Sequence, residues 1–196
     1  MDGVFRVKAL RVIIAEDEPV TRKDLREMLA EAKIKTIGEC GDGQTAVELA
    51  RKLKPDLILM DIKMPVMNGI EAAKLLNQEK IAPVMLLTAY SQKQLVEEAR
   101  EAGVLAYLVK PINKQNLIPA CYIAVSRYEE FSLLAQEVDT LNEALQSRKQ
   151  IEKAKGILQQ HYNLDEESAF KKIRTMSMDQ RKTMKEIAEA IIIAMG

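Results

Sequence analysis

Histidine and cysteine are nearly absent from this chain, and each shortage removes a class of chemistry. His161 is the single histidine. No cysteine lies near it in sequence, so neither a zinc site nor a histidine-based catalytic triad can be assembled around it. Cys40 and Cys121 are the only cysteines and stand far apart inside apolar segments, which predicts two reduced, buried thiols rather than a disulfide or a metal site. No uninterrupted apolar run reaches the roughly 18 residues of a membrane span. Met1 to Ala9 carries Asp2, Arg6 and Lys8 in place of an apolar signal-peptide centre, so a cytosolic protein without membrane contact is expected. Net charge is missing too: 29 basic residues balance 29 acidic ones, and any affinity for nucleic acid must come from local clustering. Glycine is absent between Gly103 and Gly156, and proline is absent after Pro119. The later part of the chain is therefore built to stay helical.

What is present is globular: 196 residues, 47% hydrophobic and 30% charged, enough for one large or two smaller domains. Residues 57–65 read L-I-L-M-D-I-K-M-P, an apolar run that stops at Asp61. Four consecutive apolar residues suit a central strand of a parallel sheet, and ligands of such sheets sit beyond the carboxyl ends of the strands. A lone Asp there is ordinarily a turn or cap residue; the other strands change that reading. Residues 10–15 (L-R-V-I-I-A) form a strand ending at Glu16-Asp17, followed by a helix over 20–33. Residues 36–40 make a short strand, Gly41-Asp42-Gly43 a turn, and Ala46, Val47, Ala50 and Leu53 mark a second helix. Met64-Pro65 and Asn68-Gly69 mark a loop, and Ile70, Ala73, Leu75 and Leu76 give a third helix. Residues 83–87 are a strand ending at Thr88, and Ser91 caps a fourth helix bearing Leu95, Val96, Ala99 and Ala102. Residues 106–109 are a fifth strand ending at Lys110-Pro111, a candidate cis bond.

Five strands alternating with helices make a doubly wound parallel sheet. Its edge collects Glu16 and Asp17, Asp61, Thr88 and Lys110 from four strand ends. Three crowded carboxylates need a cation, and an all-oxygen site suits Mg2+ with water completing its shell. Asp17 and Asp61 are expected as direct ligands, Glu16 directly or through water, and the backbone carbonyl of Lys63 as a further ligand. Lys110 as a point charge and Thr88 as a donor suit phosphoryl oxygens, so the indicated chemistry is phosphoryl transfer onto Asp61. On these residues, positions 11–126 resemble a response-regulator receiver domain. The resemblance implies the flavodoxin-like strand order 2-1-3-4-5, Asp61 as phosphoacceptor, Glu16 and Asp17 as the acidic pair, Thr88 and Tyr107 as switch residues, and Lys110 as the phosphoryl-binding lysine. It also implies a sensor histidine kinase as donor, and no turnover beyond slow loss of the chain's own phosphoryl group.

Asn113 and Asn116 both qualify as the cap of the next helix; Asn113 would place Pro119 inside it, Asn116 in its first turn. Ala124, Arg127, Phe131, Leu134, Val138, Leu141 and Leu145 keep alternating three-four spacing. That pattern fits a short coiled-coil seam joining two copies on phosphorylation, and equally an amphipathic helix lying on its own receiver. Beyond it, Ile151, Ala154 and Leu158 form one apolar face, Asp165 caps a second helix, and Ser177 with Gln180 reads as a capping box for a third. Phe170 has core spacing, which leaves no stacking platform for bases. From Arg148 onward ten basic residues meet seven acidic ones. Two helices joined at Met176-Ser177-Met178 are compatible with a DNA-binding helix-turn-helix, and charge does not choose between DNA and RNA.

The runs S-R-x-x-I-E-K-A-K-G-I-L, A-F-x-x-I-R-x-x-S-M and I-A-E resemble the ANTAR domain, an RNA-binding module of bacterial antiterminators. The resemblance implies binding to paired RNA hairpins in a nascent leader, so that a terminator does not form. The residues expected to contact RNA are Arg148, Lys149, Lys153, Lys155, Arg174, Ser177, Arg181 and Lys182. The expected division is a receiver over 10–126, a helical linker over 127–147 with the seam Phe131, Leu134, Val138, Leu141 and Leu145, and a three-helix output module over 148–196. A DNA-binding factor with the same receiver and a dimerising adaptor without nucleic acid are the alternatives.

Overall fold

The computed structural model describes residues 9–89, 97–98, 100 and 102–195. In order its elements are β1 (Arg11–Ala15), α1 (Pro19–Glu31), β2 (Lys35–Cys40), α2 (Gly43–Leu53), β3 (Leu57–Asp61), α3 (Gly69–Gln78), β4 (Val84–Thr88), β5 (Ala106–Val109), α4 (Lys114–Tyr162), α5 (Glu166–Gln180) and α6 (Met184–Met195). Ser91, Leu95, Val96 and Ala99 of the expected fourth helix lie outside the described residues. The chain divides between Phe131 and Ser132 into two compact units.

The first unit is a five-stranded parallel sheet in the order β2-β1-β3-β4-β5, the doubly wound, flavodoxin-like arrangement. β3 and β4 are buried at every position, because helices cover both faces of the sheet; this is why they read as unbroken apolar runs. The pleat sends alternate residues to opposite layers. Ile13, Ile58, Met60 and Leu86 pack with Ala46, Val47, Ala50, Ala72 and Leu76 of α2 and α3. Val12, Ile14, Leu57, Leu59, Met85 and Leu87 pack with Leu25 and Leu29 of α1 and Leu117 and Cys121 of α4. Each fully buried aliphatic side chain of this kind stabilises by about 1.5–3 kcal/mol. Both cysteines are free and buried, and burial pushes Cys40 up to about 11 and Cys121 up to about 12, so the thiols stay protonated.

Helix starts in this unit are set by short polar side chains. The Asp42 carboxylate accepts from the Thr45 amide at 2.7 Å, and the Asn68 side chain accepts from the Ile70 and Glu71 amides at 3.0 and 2.9 Å. The choice between Asn113 and Asn116 is resolved as a reciprocal pair. Asn113 Oδ1 accepts from the Asn116 amide at 3.0 Å and Asn116 Oδ1 from the Asn113 amide at 3.1 Å. Asn113 therefore starts α4, and Pro119 lies inside the helix.

α4 runs unbroken for 49 residues and so contributes to both units. Its seam residues Phe131, Leu134, Val138, Leu141 and Leu145 are between 51% and 62% exposed. In the second unit Ala154 and Leu158 of α4, Ala169 and Ile173 of α5, and Ile187, Ala188 and Ile191 of α6 form the core. Asn163 in a left-handed conformation (φ 51) ends α4, and the Asp165 side chain caps α5 by accepting from the Ser168 amide at 2.7 Å. Among the described residues no helix is long and apolar enough to cross a membrane.

Two expectations are corrected here. Ser177 does not cap the third helix. α5 continues through it to Gln180, because Met176 extends the stripe that packs on the core. The chain turns instead at Arg181 (φ 53), and the capping box is Thr183 with Glu186. Glu186 Oε2 accepts from the Thr183 amide at 2.7 Å, and Thr183 Oγ1 accepts from the Glu186 amide at 3.2 Å. Phe170 does not enter the core either; it sits at the flank of the buried stripe and is 43% exposed.

Candidate functional site

At the carboxyl edge of the sheet the strand register brings the expected groups together. Asp61 is the last residue of β3, opposite Leu87 of β4, and Thr88 ends β4 opposite Val109 of β5. Glu16 and Asp17 follow β1 directly, and Lys110 follows β5. One oxygen from each of Glu16, Asp17 and Asp61 lies within 4.8 Å of the others. Glu16 is 1% and Asp61 7% exposed, whereas Asp17 faces solvent. The Lys110 ammonium sits between the two buried carboxylates, 2.8 Å from Glu16 Oε2 and 2.8 Å from Asp61 Oδ1.

The electrostatics follow from that enclosure. Burial raises the Glu16 carboxyl above its ordinary value; the hydrogen bond from Lys110 lowers it, and the neighbouring Asp61 charge raises it again. For Lys110, burial opposes the charge but the bonds to Asp61 and Glu16 outweigh it, so the ammonium is held more firmly than usual. Three carboxylates against one ammonium leave a local excess of negative charge among oxygen donors, which fits a hard divalent cation of the Mg2+ kind.

The backbone around Asp61 is held by its loop. The Lys63 amide donates to Asp61 Oδ2 at 3.1 Å, and the Gly69 amide donates to the Ile62 carbonyl at 2.9 Å. A Cβ at Gly69 would run into the Asp61 carbonyl, so the start of α3 packs directly on the backbone of Asp61. Arg22 of α1 donates to the Glu16 carbonyl and faces Glu39 at 3.7 Å. Sequence reading had Gly69 only as half of a turn and did not single out Arg22. The Asn-Gly pair after Asp61 was a signal for the first; nothing local marked the second. Thr88 is 6% exposed, while Tyr107 points outward from β5 and is 47% exposed.

In the second unit the expected basic residues separate into different environments. Arg148, Lys149 and Lys153 on α4, Arg174 on α5, and Arg181 and Lys182 in the turn after α5 are exposed. Ser177 is half-buried and its hydroxyl donates to the Lys182 carbonyl at 2.6 Å. Lys155 departs from expectation. It is 6% exposed, and its ammonium lies 2.9 Å from Glu152 and 2.7 Å from Glu166. It ties α4 to the first turn of α5, since its long stem lies along the core flank and its charge is already met; it is corrected from an RNA contact to a positioning residue. Lys172 stacks over the Tyr162 ring at 3.7 Å from its centroid.

Comparison with known proteins agrees with both halves. The family model described as response regulator receiver domain matches residues 12–122, and that described as ANTAR domain matches residues 139–192. The transcriptional regulatory protein PdtaR of Mycobacterium tuberculosis is 52% identical over 186 residues, covering 95% of this chain and 91% of that protein. The signal receiver domain of the putative response regulator NarL from Mycobacterium tuberculosis matches with TM-score 0.59 at 26% identity, over 61% of this chain and 98% of that one. CheX-CheY-BeF3-Mg+2 from Borrelia burgdorferi is a further match, with TM-score 0.54 and 26% identity over 57% and 85% of the two chains. These domains are those of a regulator rather than of a catalytic family. The chain belongs to the response regulators, in the group that joins a receiver domain to an ANTAR domain.

Proposed function

We propose that this chain is a phosphorylation-controlled antiterminator that binds hairpin RNA in nascent leader transcripts in the cytoplasm. The observation that carries this is the enclosure of Asp61 with Glu16 and Lys110 in a chain that also contains an ANTAR domain. The phosphoryl donor is a phosphohistidine of a sensor histidine kinase. An oxygen of Asp61 bonds to phosphorus as the P–N bond breaks; the imidazole leaves with the electron pair and is protonated. Asp17 and Asp61, with Glu16 and the Lys63 carbonyl, would hold Mg2+, which when bound supplies counter-charge for the phosphoryl oxygens. Lys110 turns from the carboxylates to those oxygens as a point charge, and the Thr88 hydroxyl donates to them.

Phosphorylation adds roughly 1.5–2 negative charges at Asp61. Thr88 is drawn inward, Tyr107 follows from its exposed position, and the face around β5 repacks, a bistable surface biased by a local charge. The exposed seam Phe131, Leu134, Val138, Leu141 and Leu145 then pairs with a second copy, which removes an apolar stripe from water. Arg148, Lys149, Lys153, Arg174, Arg181 and Lys182 supply the cationic surface for RNA, with receiver, linker and output module divided at about 126 and 147.

The test has two arms. Labelling by a small acyl phosphate with Mg2+ disappears in Asp61→Asn; undiminished labelling refutes the phosphoacceptor assignment. A two-hairpin leader RNA binds more tightly than the matching duplex DNA, and more tightly still after phosphorylation, with dimers by sedimentation. A preference for duplex DNA would move the output to DNA, and no binding in either state would leave a dimerising adaptor.

A further inference from the structure

Gly156 stands inside α4 with an ordinary helical backbone, where glycine is less favourable than any residue except proline. Helix glycines are commonly explained by a neighbour packed against the bare backbone. Gly43 and Gly69 fit that explanation: a Cβ at Gly43 would lie 2.6 Å from the Met67 carbonyl, and one at Gly69 would meet the Asp61 carbonyl. Gly156 does not, because a Cβ built there meets no atom within 4 Å. Among the described residues no neighbour requires position 156 to lack a side chain.

The surroundings indicate what does. Three and four residues away on the helix surface are Glu152, Lys153, Gln159 and Gln160, and Lys149 lies two turns back on the same side. The Glu152 carboxylate is met by Lys155 at 2.9 Å. What remains around the half-buried Gly156 backbone is two outward ammonium groups and two amides, with no apolar side chain among them. An apolar partner surface has nothing to bury against here. A ribose-phosphate backbone does have partners: the lysines suit its phosphates, the amides suit 2′-hydroxyls and base edges, and the glycine lets it lie against the helix.

We propose that Gly156 is the point of closest approach between RNA and the C-terminal unit, flanked by Lys149, Lys153 and Gln160. This deepens the hairpin-RNA reading and rests on it. Gly156 is then a specificity-determining residue, retained against helix propensity because a single methyl group there holds the nucleic acid away.

The experiment compares the full chain and its Gly156→Ala variant for thermal stability and for binding to a hairpin RNA selected against the wild-type chain from a randomised-loop library. Gly156→Ala is expected to melt a few degrees higher and to bind the hairpin roughly tenfold more weakly or worse. Lys153→Ala lowers the slope of log affinity against log salt by roughly 0.7–0.9. Higher stability with unchanged RNA affinity overturns the proposal while leaving the antiterminator reading intact. A lower melting temperature overturns it by giving Gly156 a role in the fold, and an altered sedimentation profile by giving it to a second copy. If the wild-type chain selects no hairpin at all, the antiterminator reading fails and this inference with it.

Discussion

Lys110 and Lys155 each hold two carboxylates, one pair at the sheet edge and the other in the C-terminal helices, and the pairs differ in what surrounds the acids. The partners of Lys110 are enclosed, with side chains 1% and 10% exposed. The partners of Lys155 are open, with side chains 56% and 75% exposed, although the lysine side chain is only 8% exposed. Enclosed carboxylates cannot return to water, so removing their cation leaves a cost that another cation must meet. Open carboxylates are rehydrated, and such a pair contributes geometry more than energy. The sheet edge is thus poised to exchange charged partners, whereas the helical unit uses charge to fix one helix against another and to present the rest to solvent.

The strongest way to break this comparison is one substitution made in both regions. Gly69→Ala, which drives a methyl group into the Asp61 carbonyl, is expected to cost about 1–3 kcal/mol in urea unfolding, while Gly156→Ala stabilises. Equal effects at the two sites would show that the open space around Gly156 is not kept in solution. Next come the lysines. Lys110→Met should make the melting temperature depend on added Mg2+ more steeply than in the wild-type chain, because the enclosed carboxylates recover a cation. Lys155→Met should lower it by a few degrees with no Mg2+ dependence and no change in the salt slope of RNA binding. A shared Mg2+ response would erase the difference between the two lysines.

Smaller effects test the helical unit alone. Thr183→Ala removes a capping box and is expected to cost about 1 kcal/mol, whereas Ser177→Ala loses one exposed hydrogen bond and costs less than half of that. The reverse order in denaturant titrations would restore the junction to Ser177. The smallest effect is a pH dependence. Hydrogen bonds from the Ser168 side chain and amide hold the Asp165 carboxyl below its ordinary 3.8. Its stabilisation is therefore complete above that value and is lost as pH falls through the lower, folded-state value. Asp165→Asn keeps the cap but not the titration, so its stability should fall less steeply below about pH 4; an identical acid limb would place the titration elsewhere.

The receiver was readable because its site is made of strand ends. An apolar run that stops at Asp61, at Glu16 or at Lys110 fixes where each side chain emerges, and parallel topology brings the ends together. The second unit was harder to read for a reason of symmetry. A helical repeat tells the buried stripe from the opposite face but not from its flanks. Phe170 and Lys155 are both flank residues: the aromatic one was expected inside and is half out, and the charged one was expected outside and is buried along its stem. Ser177-x-x-Gln180 and Thr183-x-x-Glu186 satisfy the same local rule, and only the packing of Met176 on the core selects the second.

By itself the sequence determined the order of strands and helices, the edge at which Glu16, Asp17, Asp61, Thr88 and Lys110 meet, and the reduced state of two buried thiols. These depend on periodicity and on where apolar runs end, which are properties of the chain. Only the tertiary structure decided that Gly69 abuts the Asp61 carbonyl, that Lys155 is tied across to Glu166 of the next helix, that Met176 carries α5 through Ser177, and that no atom of the described residues fills the space beside Gly156. Each of these depends on which atoms lie across a gap from one another, and that distance is set by packing between elements rather than by any spacing along one of them.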